Sequence, residues 1–292
     1  MKHISLSYKI FTCFAYTFIA AIMLITLMVF MHIIAIALSA AGPAGANIVG
    51  LVPIDFTTES IRQAIGDPMI HRTFFNSLGR LFLGVAFNIV MMISVAYPLS
   101  KDNSRFPMRN FYAMIVLITM LFSGGLVPLY LWIKQLNLLD TVWSLVLPNG
   151  VPVFLCIVLM NFFKQIPADI EDAAYIDGAS HFTTMVMIDI PLAKPAFATV
   201  TLFAIINHWN SWFDGLIYMK SPSLYPYATY LRMLIERMDR IQSIEDIENL
   251  INIGQRPLMM AYVIIGIIPI AVVYPFLQKH VKSGLMLGGV KG

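Results

Sequence analysis

The residues Asp172-Ala173-Ala174-Tyr175-Ile176-Asp177-Gly178, followed after nine residues by Ile188-Asp189-Ile190-Pro191, form the most specific arrangement in this sequence. The chemistry they suit is recognition of another surface, not bond-making. Pro167 sits at a first helical position, and Asp169, Glu171 and Asp172 follow it. Acids in a first turn complement the positive end of the helix dipole, typically by about 0.3–1 kcal/mol each. Ala173 and Ala174 carry little side chain, so a second surface can come close. Gly178 accepts a positive φ and ends the helix in a sharp turn. Ser180 then caps a second short helix carrying Phe182, Met185, Val186 and Ile188, and Pro191 and Pro195 stop it. The pattern predicts a compact helix–turn–helix. The plainer alternative is a solvated loop with helical composition.

A second group of polar and aromatic residues falls in apolar surroundings. Trp209, Asn210, Trp212 and Asp214 are close together, and Tyr130 and Trp132 form a smaller pair. Aromatic faces suit the apolar faces of sugar rings, and amides and carboxylates suit hydroxyls. Polar groups in a membrane span face a bundle interior or a wet cavity. Trp near an interface also belongs to the aromatic belt of membrane proteins, which is the competing reading. His208 has no second His or Cys at ligand spacing, so no metal site is expected. Arg80 reads as snorkelling or paired. No catalytic set is expected either, since there is no His-Glu-x-x-His pair and no convincing nucleophile–base arrangement. No Gly-x-x-x-x-Gly-Lys-[Ser/Thr] loop is present, so any ATP must be bound by a partner.

The elements that position these groups are membrane spans. The 292 residues are 59% hydrophobic and 12% charged, about half the charge fraction of a soluble domain. Six apolar runs approach or exceed the roughly 20 residues needed to cross a bilayer, at about 10–38, 74–99, 110–131, 142–163, 195–217 and 257–279. A signal peptide competes for the first run, with Leu38-Ser39-Ala40-Ala41 as a loose cleavage site. The run is much longer than a 7–15-residue signal core, so a retained span is expected. Cys13 and Cys156 lie in apolar runs and read as core residues. The net charge of +3 gives no argument for nucleic acid.

Lys2, Lys9, Lys101, Arg105, Arg109, Lys279, Lys282 and Lys291 place both termini and the 100–109 loop on the cytoplasmic side by the positive-inside rule. The 164–194 loop is then cytoplasmic, and the 39–73 and 218–256 loops face outward. Leu231, Leu234, Ile235, Met238 and Ile241 recur at helical spacing in the last of these, predicting a surface helix over about 229–252. It lies on the membrane surface or packs on the rest of the protein, or else it contacts an external partner or forms a flap near the pathway.

The 172–191 segment resembles the EAA loop of ABC-importer permeases: Glu-Ala-Ala, three residues, Gly, nine residues, Ile-x-Leu-Pro. Asp172 stands for the Glu and Ile190 for the Leu, and the other fixed positions match. The carbohydrate branch is further resembled by Asn76-Ser77-Leu78, Ala96-Tyr97-Pro98-Leu99-Ser100, Trp209-Asn210-Ser211-Trp212-Phe213, Tyr274-Pro275-Phe276-Leu277-Gln278-Lys279 and Gly288-Gly289-Val290-Lys291-Gly292. The resemblance covers nearly the whole chain. It implies the MalG-like half of an importer for complex oligosaccharides, including uronic-acid polymers such as alginate. The implied fold is an all-α membrane protein, one permease domain of six transmembrane helices with a cytoplasmic coupling helix in the 164–194 loop. The implied partners are a homologous second permease, two ATPase subunits that use ATP and Mg, an extracytoplasmic solute-binding protein, an oligosaccharide substrate and membrane lipid, in the cytoplasmic (inner) membrane. Asp172, Ala173, Ala174, Gly178, Phe182, Ile188, Ile190 and Pro191 are the implied ATPase-coupling residues. Trp209, Asn210, Trp212, Asp214, Tyr130 and Trp132 are candidates for the substrate pathway. Related permeases for peptides, amino acids or phosphate esters, and ion-driven secondary carriers, remain alternatives.

Overall fold

A computed structural model describes residues 6–239 and 255–289, and all the elements among them are helical. Three helices are long and apolar enough to cross a membrane, and three bent helix pairs bring the total to as many as six spans. The chain divides into two compact units, Met1–Ile70 with Met233–Ile267 and His71–Arg232 with Ile268–Gly292.

The first unit holds α1 (Leu6–Ala37), α2 (Ala41–Gly45) and α3 (Glu59–Gly66). At 1.5 Å per residue α1 is about 48 Å long, more than the ~30 Å hydrocarbon core. Phe11, Phe14, Phe18, Ile22 and Ile25 are all exposed on it. A helix apolar on every side has lipid as its solvent. A small core of Ala35, Ile36, Ala44 and Val49 closes its far end, with Ile54 and Met260 packed on it. The buried Ser39 hydroxyl donates to Ala35 O and accepts from Ile54 N, so the side chain in the turn after α1 is paired both ways.

The second unit is built on α4 (Pro68–Ser100), most of which lies in it. The helix starts nearly two turns before the expected 74, because the Asp67 carboxylate accepts from Met69 N and caps its entry. The expected third span is two helices, α5 (Arg109–Leu121) and α6 (Leu126–Gln135), bent by 109° across 122–125, where Gly125 takes φ +88°. The fourth contains α7 (Val142–Val146), a 3₁₀ turn at Leu147–Asn149 and α8 (Val153–Phe163), bent by 53° where Pro148 and Pro152 interrupt the backbone ladder.

Next come α9 (Ala168–Ile176), α10 (His181–Thr184), a π turn at Met185–Asp189 and α11 (Ile190–Leu192). At Ala193 the chain turns by 81° into α12 (Lys194–Asn210), with Pro195 in its first turn. The expected fifth span to 217 stops at Asn210. After Ser211 and Trp212 the chain restarts as α13 (Phe213–Tyr218). A core of Met92, Ala96, Tyr97, Leu155, Cys156, Leu159, Phe163, Ala193, Ala196 and Val200 joins α4, α8 and α12.

Two helices have residues in both units. The amphipathic helix is α14 (Tyr227–Asp239), and the part of the predicted 229–252 helix from Arg240, including Ile241, lies outside the described residues. The last helix, α15 (Gln255–Gly289), runs beyond the expected end at 279. In the first unit its Arg256 donates to Ala44 O and its Tyr262 hydroxyl to the Asp67 carboxylate.

Candidate functional site

The 164–194 segment takes the local shape its residues dictate. Pro167 caps α9, and Asp169 and Glu171 lie in its first turn. Gly178 adopts φ +85°, a region that L side chains rarely adopt, and its N–H and that of Ala179 close the helix onto Tyr175 O and Ala174 O. The Ser180 hydroxyl accepts from Thr183 N at 3.1 Å and caps α10.

This segment is fastened to the end of α4 by charge. The Lys101 ammonium donates to Glu171 at 2.6 Å and to Asp189 at 3.3 Å. Arg105 donates to the other Glu171 oxygen at 2.6 Å and also pairs with Asp172. Lys101 lies over the Tyr97 ring at 4.1 Å, and the Tyr97 hydroxyl donates to His181 O. Asp189 is fully buried. Burial pushes its carboxyl above the usual carboxylate range, Lys101 opposes that push and Glu171 adds to it. The two short helices and the start of the loop after α4 are therefore held in one piece. The outer face of that piece is apolar: Ile176 is 86% exposed, Phe182 71% and Met187 73%.

The other feature lies along the middle of α4. A cavity of about 770 Å³ is lined by Asn88, Thr119, Ser123, Asn207, Asn210 and Ser211, with apolar Leu129, Leu155 and Ile206. Arg80, 1% exposed, also lines it. Arg80 is held by Asp214 through both carboxylate oxygens and donates to Ser211 O at 3.0 Å. Asn88 donates to Asn149 O and Gly150 O, so its Oδ1 faces His208 at 2.8 Å. That assigns the proton to His208 Nε2 as donor. The imidazole lies against Gly84, where a Cβ would stand 2.5 Å from the ring, so α4 and α12 approach this closely only with glycine at 84.

Among the expected coupling residues, Ala173, Gly178, Phe182 and Pro191 lie on the exposed surface, and Asp172 is half exposed against Arg105. Ala174 is buried, Ile188 is half-buried and Ile190 packs on the main core. Of the residues expected along a cargo path, Asn210 lines the cavity. Trp209 is 4% exposed, packed edge-on to Phe74 and stacked on Tyr227. Trp212 lies under the Arg232 guanidinium and against Phe213. Asp214 is Arg80's counter-ion, Tyr130 stacks on Tyr218 and Trp132 is exposed. The clamp residues Lys101, Arg105, Glu171 and Asp189 were missed as a unit. The available signal was charge complementarity between the 101–109 cations and the 169–189 acids. No group of His, Cys, Asp and Glu among the described residues has the arrangement of a metal site.

Residues 75–286 match the family model described as binding-protein-dependent transport system inner membrane component. Protein LplC of Bacillus subtilis (strain 168) is 33% identical over 275 residues, covering 94% of this chain and 92% of LplC. The polygalacturonan/rhamnogalacturonan transport system permease protein YtcP of the same organism is 31% identical over 289 residues, 97% of this chain and 99% of YtcP. A chain from the crystal structure of a bacterial ABC transporter involved in the import of the acidic polysaccharide alginate superposes with a TM-score of 0.83 at 28% identity, covering 96% of this chain and 99% of that one. These relatives are transport components, and their family implies a partner permease, an ATPase and a solute-binding protein. On fold and sequence together, the chain belongs to the family of inner-membrane components of binding-protein-dependent transport systems, the permease subunits of ABC importers.

Proposed function

We propose that this permease moves an oligosaccharide into the cell and is driven through the 164–194 segment by partner ATPases. The cargo class to test first is the uronate-rich acidic saccharides, such as fragments of polygalacturonan or alginate, since two of its relatives serve acidic polysaccharides. In this reading the chain works beside a homologous second permease, two ATPase subunits that bind ATP and Mg, and an extracytoplasmic solute-binding protein. Both termini and the 164–194 segment lie on the cytoplasmic side of the inner membrane.

The observation that carries the reading is the apolar face of Ile176, Phe182 and Met187 on a segment otherwise held by ion pairs. Water gains nothing from that face, and a protein cleft does. Because the clamp joins α9 to the end of α4, movement imposed on the face reaches a membrane span as a rigid displacement. The polar cavity with amide and hydroxyl groups supplies hydrogen-bond partners for sugar hydroxyls. A proton- or sodium-driven carrier places titratable groups in its spans. Here Asp214 is occupied by Arg80.

The test is Phe182→Asp in the full assembly reconstituted in vesicles. Uptake of labelled oligogalacturonate falls to background while the protein still inserts and pairs with its partner permease. Uptake at the parental rate, with ATP hydrolysis still required, overturns the coupling role. Uptake of neutral oligosaccharides in preference to oligogalacturonate and oligoalginate overturns the acidic cargo.

A further inference from the structure

Beside the clamp, where α4 ends and α5 begins, a second cavity of about 340 Å³ opens. Lys101, Arg105, Arg109 and Lys164 line it, against Asp102 and Glu171. Lys101 and Arg105 are committed to Glu171, Asp172 and Asp189. Arg109 and Lys164 have no carboxylate within ion-pair distance among the described residues. The Arg109 Nε donates to Leu99 O at 2.9 Å, which fixes the side chain and leaves its two terminal nitrogens available. Partial desolvation and the neighbouring Arg109 charge both lower the proton affinity of Lys164, and Asp102 offsets part of this. Two cations are thus held side by side, and an anion offering several oxygens relieves their repulsion.

We propose that Arg109 and Lys164 hold a phosphate group, and that its bearer is the headgroup of an anionic phospholipid. A free phosphate ester shares the chemistry, but the surroundings favour the lipid. Phe163, the last residue of α8, lies in the wall, so the cavity sits where the apolar helices give way to the polar segment. Beside it, Met108 and Phe111 at the start of α5 are exposed apolar side chains, the neighbours an acyl chain needs and a soluble phosphate does not. Basic pockets between membrane helices bind anionic headgroups for this reason. A phosphate here adds negative charge next to Lys101 and Arg105 and competes with Glu171 and Asp172 for them. The anionic lipid content of the membrane thereby adjusts how firmly the 164–194 segment is held.

The experiment uses the full chain with the subunits that co-purify with it, in nanodiscs of phosphatidylcholine with graded phosphatidylglycerol. Lipid retained after stringent washing is counted by native mass spectrometry. The parent protein retains phosphatidylglycerol, and Arg109→Gln with Lys164→Gln lowers its retention on the order of tenfold, two surface cations having been removed. Arg109→Lys, which keeps the charge, stays near the parent. Lys164→Gln alone, at an exposed side chain, gives a partial loss that does not depend on the fold tolerating a change at Arg109. Displacement of phosphatidylglycerol by millimolar inorganic phosphate, in the parent but not in the double variant, assigns the site to a free phosphate and overturns the lipid. Equal retention of phosphatidylglycerol and phosphatidylcholine in every variant, with no phosphate effect, overturns the site altogether. The readout is bound lipid, so it is independent of what the importer carries.

Discussion

From its middle and from just past its end, α4 meets carboxylates on later segments, and the two meetings are built on different terms. Arg80 has one acid, Asp214, and one carbonyl, Ser211 O, and it is closed from solvent. Lys101 and Arg105 share Glu171 between them, and each reaches a further acid, with Arg105 partly open to water. Desolvation explains the contrast. A buried charge must have its own partner, because the low-dielectric interior punishes any surplus. The second network keeps Glu171 and Asp189 buried and Lys101 nearly so, but reaches water at Arg105 and Asp172, and at that outer edge water screens what shared partners leave unpaired. One junction therefore locks the break after α12 to α4. The other holds a surface segment while leaving its partners exchangeable, which suits a part that is pushed.

The largest effect should fall at the exclusive pair. Asp214→Ala leaves Arg80 buried without a counter-ion and costs roughly 3–5 kcal/mol. Thermal unfolding of the purified protein in detergent should show a large drop in midpoint. Arg80→Met combined with Asp214→Leu should recover much of it, because an apolar pair avoids the desolvation altogether. An Asp214→Ala protein that melts like its parent would remove the distinction between the two junctions.

A smaller and more local effect is expected at the shared junction. Glu171→Gln removes the carboxylate that both Lys101 and Arg105 use, yet Asp189 and Asp172 remain to them. Loss of charge-assisted bonds of this kind costs about 1.5–3 kcal/mol where partners are desolvated, and partial exposure of Arg105 reduces that. Amide exchange across α9 and α10 should accelerate while the global midpoint moves little. A global drop as large as that of Asp214→Ala would show that the 164–194 segment is part of the core and not a held surface piece.

The difference between the junctions also marks what the sequence made readable. The turn at Gly178, the Ser180 cap and the acids in the first turn of α9 rest on contacts within a few residues, and all were legible. The apolar runs gave the spans for the same reason, since each residue meets lipid or core on its own account. The breaks were harder. The 109° bend at 122–125 falls on Ser123-Gly124-Gly125, a short breaker that the apolar residues on both sides outweigh when the run is read as one span. The clamp and the Arg80–Asp214 pair join residues 66 to 134 positions apart, so no local spacing announces them. At Trp209 an aromatic beside Asn210 satisfies a sugar-binding pattern and a packing pattern equally. No local spacing announces that its ring meets Phe74 and Tyr227.

The smallest effect tests whether the shared junction or the local turn sets the shape of the segment. Ser180 Oγ accepts from Thr183 N and bonds the Thr183 hydroxyl, while Thr184 N is satisfied by Ser180 O. Ser180→Ala removes the side-chain acceptor and keeps the carbonyl, a loss of about 1 kcal/mol for a capping hydroxyl. α10 spans four residues before the π turn, so it has little helical cooperativity of its own to resist that loss. If ion pairs hold the segment, exchange should rise at Thr183 and its neighbours and remain unchanged in α9, where Glu171 is still clamped. Fraying that reaches α9 would mean that the turn, not the Lys101 and Arg105 network, carries the order of the whole piece. In that case Glu171→Gln and Ser180→Ala would produce the same exchange pattern and differ only in size.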